Sequence, residues 1–175
     1  MPDGRSGRLR FRDFERDDQV MAGVFERFLL DFYKREQVEF AVRSESIAWQ
    51  DTFAAGDATD LAYLPQMRTD VSLERTGRKV VVDAKYYRQP LQRHFAKDSV
   101  RSGHLYQLFA YLRNLDLKGE PDVRTEGILL YPLVDTPLDL RYNIHGHRVR
   151  VATVDLAHDW PHIHAFLLEL IDQGP

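Results

Sequence analysis

A chain of 175 residues, 43% apolar and 29% charged, has the size and composition of one globular domain. It contains no Cys, which excludes a disulfide scaffold and any Cys-based zinc site, and its formal net charge of −3 rules out a uniformly basic surface. No apolar run approaches the roughly 18 residues of a membrane helix and no hydrophobic signal core opens the chain, so a cytoplasmic protein is expected.

The opening Met1-Pro2-Asp3-Gly4-Arg5-Ser6-Gly7 reads as loop, which makes residues 1–16 an N-terminal arm or linker ahead of a domain over 17–175. From Asp17 to Arg35, Met21, Phe25, Phe28 and Phe32 recur at helical spacing, with Asp17 or Asp18 available as a cap. Glu26 falls on the shoulder of that apolar face, a position shared by solvated helix carboxylates and by acids that reach a buried site.

Thr69 to Arg75 alternates polar and apolar residues, Thr76-Gly77 supplies a turn, and Arg78 to Lys85 is rich in β-branched residues. With Thr76 and Gly77 as the loop, position 71 pairs with 82 and Asp70 stands opposite Asp83. Opposed residues share a face with Cβ atoms roughly 4.5 to 5.5 Å apart, and Lys85 points to the same side. Two carboxylates that close repel unless a proton or cation intervenes. Solvated strand carboxylates meet the same pattern; a divalent cation with Lys85 beside it would instead suit metal-assisted phosphodiester hydrolysis, with Mg²⁺ the hard cation that such oxygens prefer.

From Lys85 to Arg101 the chain carries Lys85, Arg88, Arg93, Lys97 and Arg101 against Asp98, a balance of five against one, or +4. This is either a solvated basic loop or a phosphate-tracking segment, with Tyr86 and Tyr87 interleaved. Ser102 to Asn114 is a predicted helix with Leu105, Leu108, Phe109 and Leu112 as its core stripe. Gln107 and Tyr111, at i and i+4, share a second, polar face with His104.

Gly127 to Pro132 reads as a buried strand, and residues 140–144 with 148–154 as a hairpin turning at His145-Gly146. Asp159-Trp160-Pro161 opens a last helix ending near Asp172. The seven His are expected at the surface: His145 and His147 flank a turn, and His162 and His164 face apart. The sum is an α/β (α+β) domain with a mixed central sheet flanked by helices.

In this order, Glu26 on a helix, Leu64 to Asp70, Val82-Asp83-Ala84-Lys85-Tyr86-Tyr87 and Tyr106-Gln107-Leu108-Phe109-Ala110-Tyr111 resemble the PD-(D/E)XK nuclease superfamily. Phe11-Arg12-Asp13-Phe14 and Met21 to Phe28, with Leu64 to Tyr87, resemble more narrowly the nuclease domain of the McrC family, the cleavage subunits of McrBC modified-cytosine restriction systems.

The resemblance implies a restriction-endonuclease-like fold and a Mg²⁺-dependent DNA endonuclease, with Mn²⁺ as a substitute cation. Asp70, Asp83, Glu26 and the Ala84 carbonyl would be the metal ligands. Lys85 would position or activate the water, and Gln107 and Tyr111 match a Q-x-x-x-Y element that organises the site or contacts DNA, beside Arg88, Arg93, Lys97 and Arg101. A homodimer would serve double-strand cleavage.

Members of that family carry an N-terminal region that engages a McrB-like AAA+ GTPase, for which the 175 residues leave no room before Glu26, so the chain is expected to be either a fragment or a minimal relative that has lost that arm. Dependence on such a partner is not carried over by the resemblance. Two rivals remain: a non-catalytic DNA-binding or assembly module of a restriction complex, and a repair-type nuclease acting on single-stranded DNA or RNA.

Overall fold

The computed structural model describes residues 4–49, 56–86, 91–94, 97–116 and 124–175, with backbone alone at 4–16, 58, 91–94 and 97–98. In chain order the elements are α1 (Gly4–Glu36), β1 (Ala41–Arg43), β2 (Ser46–Ile47), α2 (Ala58–Leu61), β3 (Met67–Arg68), β4 (Val71–Arg75) and β5 (Arg78–Ala84). They continue with β6 (Leu91–His94), β7 (Lys97–Val100), α3 (Ser102–Asp116), β8 (Glu126–Pro132), β9 (Asp139–Ile144), β10 (His147–Val154) and α4 (Trp160–Gln173).

Six strands form one mixed sheet in the order β1-β4-β5-β8-β10-β9. β5, β8 and β10 run parallel to one another at its centre, while β1, β4 and β9 pair antiparallel. β8 is buried along its whole length, as a parallel strand covered on both faces should be. The expected mixed sheet with flanking helices is thus what the chain forms, in a restriction-endonuclease-like arrangement.

Alternation along β5 sorts the two cores. Val80, Val82 and Ala84 face α1 and α4, packing with Phe25, Leu29, Phe32, Tyr33, Leu167 and Leu170. Val81 faces α3, with Leu108, Tyr111, Leu112, Leu129 and Tyr131. α1 and α4 are locked together where the Tyr33 hydroxyl donates to the Leu167 carbonyl at 3.0 Å and Trp160 meets Phe28 and Phe32 edge-on. α3 lies close on the other face because Gly127 has no side chain: a Cβ there would stand 2.9 Å from methyls of Leu108 and Leu112.

The turn chemistry acts as expected. Gly77 takes φ 73°, and His145 and Gly146 take φ 51° and 86°, the left-handed pair that a two-residue hairpin demands. Asp159 caps α4 and Pro161 sits in its first turn.

Several expectations need correction. α1 begins at Gly4, so residues 4–16 of the stretch read as a loop-like arm are helical and Asp17 and Asp18 lie inside the helix rather than capping it. The segment read as a basic loop contains a hairpin, β6 against β7. Phe109 is only half-buried, its ring tilted against His145 and edge-on to His147, while Tyr111, placed on the polar face, is buried. His147 is 0% exposed: its Nδ1 bonds the Thr125 carbonyl at 2.9 Å and its Nε2 lies 3.3 Å from Asp116.

Candidate active site

The run Val80-Val81-Val82 carries β5 through the core and delivers Asp83, 1% exposed, to its end. Lys85 follows under tight control, its N–H donating to the Leu130 carbonyl at 2.9 Å and so extending the pairing with β8 beyond the strand. β4 approaches from the other side in the expected register, Val71 opposite Val82. One step further, the Asp70 side chain takes over from the ladder: its Oδ2 accepts the Ala84 N–H at 2.8 Å. The hairpin therefore brings Asp70, Asp83 and Lys85 to one strand tip.

The charges there are strongly interdependent. Burial pushes the Asp83 carboxyl up to about 7, with Asp70 and Glu26 adding to the rise and Lys85 opposing it. Burial also raises Asp70, against the pull of Lys85, the Ala84 N–H and Arg68. For Lys85, burial works downward but is outweighed by Asp83 and Asp70, so its pKa ends above the usual lysine value. Lys85 is thus a fixed cation in this setting.

Lys85 Nζ lies 3.0 Å from Asp83 Oδ1 in hydrogen-bonding geometry and 2.9 Å from Oδ2 off the bonding axis. As a result Oδ2 is buried without a hydrogen bond. Burying that oxygen is costly, and the Lys85 ammonium beside it offsets part of the cost.

Both helical layers reach this tip. From α1, Glu26 is raised by burial first and by Asp70 second, which places it electrostatically beside the pair. From α3, the Gln107 amide donates to the Tyr111 hydroxyl at 2.8 Å, and the Tyr111 pKa is raised by burial and by Asp83. Gln107, Tyr111 and Glu26 are therefore grouped with the central trio. His104, expected on the same helix face, joins them: burial, then Lys85 and Arg101, lower its pKa to about 4, and Nδ1 lies 2.9 Å from the Tyr131 hydroxyl.

Of the basic residues expected to track phosphates, Arg101 is half-buried near His104. Arg93 lies on β6 and Lys97 on β7, where the backbone alone is described, and Arg88 and Tyr87 fall outside the described residues.

Polar residues that sequence reasoning passed over hold Asp70 in place. Thr69 is buried, its N–H donates to the Glu45 carbonyl at 3.0 Å, and its Oγ1 accepts from Glu45 N at 3.1 Å and from Ser72 Oγ at 3.0 Å. Ser44 Oγ donates to the Thr69 carbonyl at 2.6 Å. The alternation of β4 hid this, since Ser72 looks solvent-facing yet is fully buried.

Among the described residues no three His, Cys, Asp or Glu side chains converge tightly enough to cage a cation, so Glu26 does not close a three-acid cluster. Mg²⁺ needs no such cage: it is commonly held by one or two carboxylates, keeping several waters and taking phosphate oxygens. Asp70 and Asp83, all-oxygen donors with one buried oxygen that accepts no hydrogen bond, fit that pattern.

Comparison with known proteins places the chain. A family model described as McrBC 5-methylcytosine restriction system component matches residues 20–132, which contain every candidate site residue. The type IV methyl-directed restriction enzyme EcoKMcrBC of Escherichia coli (strain K12) is 34% identical over 173 residues, covering 99% of this chain and 49% of that protein. The chain thus spans about half the length of that relative.

Proposed function

This chain belongs to the McrBC 5-methylcytosine restriction system component family, and on that premise we propose that the strand-tip acids form the active site of a Mg²⁺-dependent DNA endonuclease. The observation that carries the reading is Asp83: a carboxylate buried at a strand end, ion-paired with the Lys85 ammonium, one oxygen lacking a hydrogen bond, and a second carboxylate beside it. A module that merely kept the fold would gain stability by losing that acid.

Asp70 and Asp83, with the Ala84 carbonyl, would hold the cation, and Glu26 would complete the acidic surround through water. When bound, the cation supplies Lewis-acid charge at the phosphate and eases deprotonation of water. Lys85, charged at working pH, donates hydrogen bonds to the attacking water or to a phosphate oxygen and is no general base. Tyr111 and Gln107 support it from α3, and Arg101, Arg93, Lys97 and Arg88 lie along the chain that leads there.

The relative is a methyl-directed restriction enzyme, so DNA carrying modified cytosine is the substrate proposed for this chain, with a McrB-type GTPase as partner. Among the described residues no helix is long and apolar enough to cross a membrane.

The test is plasmid cleavage with Mg²⁺ or Mn²⁺ on methylated and unmethylated DNA, comparing wild type with Asp83→Ala and Lys85→Ala. Wild type should cut and both variants should not. No cutting by wild type, even with a McrB-type partner added, ends the enzymatic reading; equal cutting by all three ends the site assignment.

A further inference from the structure

Beside the strand tip, a cleft of about 330 Å³ opens between α1 and the β3–β4 connection, lined by Gly23, Glu26, Arg27, Leu30, Ser44, Arg68, Thr69 and Asp70. Two of these residues are unusual for where they stand. Arg68 is exposed and its Nε donates to Ser44 Oγ at 2.9 Å, which aims the guanidinium from a rigid mount. That mount is firm because Ser44 is itself bonded to the Thr69 carbonyl at 2.6 Å. Arg27 is already held by Asp31 at 2.7 Å, but among the described residues no carboxylate pairs with Arg68. It keeps a charge that Asp70 feels across the cleft.

Gly23 is the second. It lies inside α1, one turn before Glu26, where glycine weakens a helix relative to alanine. No packing requires it, since a Cβ there would meet nothing within 4 Å. What its bare backbone does provide is an open wall to the cleft, the arrangement that lets another chain approach closely.

A nucleic-acid strand arriving at Asp70, Asp83 and Glu26 meets three carboxylates, and its next phosphate needs a cation nearby to offset them. We propose that the cleft between Gly23 and Arg68 binds the phosphodiester adjacent to the one being cut, with Arg68 as its partner and Gly23 leaving room for the backbone. This rests on the endonuclease reading for the position of the cut. Arg68 presents forked N–H donors, the geometry that grips two phosphate oxygens.

The test measures binding of a labelled DNA duplex to the full chain in EDTA, where nothing is cut, across a salt titration. Arg68→Ala should weaken binding roughly tenfold at low salt, as expected for losing a charge-assisted contact. It should also reduce the slope of log affinity against log salt by about 1. Arg68→Lys should restore the slope but only part of the affinity. Gly23→Leu should leave the melting temperature unchanged or raised and still weaken binding.

Wild-type affinity and slope in both Arg68→Ala and Gly23→Leu overturn the proposal, as does a wild type that binds no duplex. If Gly23→Leu fails to fold, the Arg68 pair decides alone. The two readings separate cleanly: wild type that cuts while the variants bind normally removes the cleft, and variants that bind poorly in a chain that never cuts remove the catalysis.

Discussion

The Asp70 carboxylate accepts the backbone N–H of Ala84, the residue between Asp83 and Lys85, at 2.8 Å. That single bond makes the spacing of the two strands a determinant of the site: Asp70 cannot drift from Asp83 without surrendering a part-buried hydrogen bond. Its other oxygen accepts nothing from the ladder and remains available to a ligand.

Asp83 should make the metal-free protein less stable as pH rises. Its native pKa of about 7 stands above the 3.8 of the ordinary side chain, so the folded state binds more protons between those values. The contribution to stability is therefore fully present below about pH 4 and lost as pH climbs through 7. Thermal melts in EDTA should show the midpoint falling from pH 5.5 to pH 8, and Asp83→Asn should flatten that fall while raising the midpoint at pH 8. Parallel curves for the two proteins would remove the buried carboxylate as the cause.

Added Mg²⁺ should raise the melting temperature more at pH 8 than at pH 6, since a cation and a proton compete for the same oxygens. Differential scanning fluorimetry with Mg²⁺ titrated at both pH values checks this. A shift of equal size at both, or one that survives in Asp83→Asn, would place cation binding elsewhere.

Lys85→Met should cost about 3 kcal/mol of stability at pH 8, because it leaves an uncompensated buried carboxylate. The cost should shrink at pH 6, where Asp83 takes up a proton. Cleavage should fall by about 10²–10³ through loss of a charge-assisted donor, and Lys85→Arg should recover stability without recovering full rate, its fork being a poor substitute for a point charge. Urea unfolding at the two pH values, with single-turnover cleavage, separates these effects.

Gly127→Ala should push α3 off the sheet, since its Cβ would crowd Leu108 and Leu112 at 2.9 Å. Overpacking of this kind costs about 1–3 kcal/mol. Leu108→Ala, which alone creates a cavity worth about 2–5 kcal/mol, should offset part of that cost in the double variant. Additive losses in a double-mutant cycle would show that the two positions do not share the space.

The part of the site carried by local rules was readable in the sequence. A two-residue turn at Thr76-Gly77 and the two-residue period of a strand suffice to align Asp70 with Asp83 and to put Lys85 beside them. The helical period likewise grouped Gln107 with Tyr111. What stayed hidden depends on partners distant in sequence.

Thr69 and Ser72 look like surface residues until the turn at Ser44 and Glu45 folds over them. His147 looks like turn decoration until Asp116 and Thr125 close around it. Tyr111 sits on a polar helix face whose polarity belongs to the site rather than to solvent. The helical start of α1 at Gly4 was masked by two early glycines, which lower helix propensity but do not forbid the helix.

The position of β5 in the sheet has a kinetic consequence. Its pairing with β4 is a tight hairpin between neighbours in sequence, but its pairing with β8 must wait for the intervening chain to fold across the sheet. Contacts that close long loops form late relative to local ones. Asp70 and Asp83 can thus meet early in folding, whereas Lys85, held by Leu130, and Glu26 and Tyr111, delivered by opposite layers, find their places only at the end. Chemical competence is then one of the last properties the folding chain acquires, so an incomplete or misfolded copy carries the acids without the arrangement that makes them dangerous to DNA.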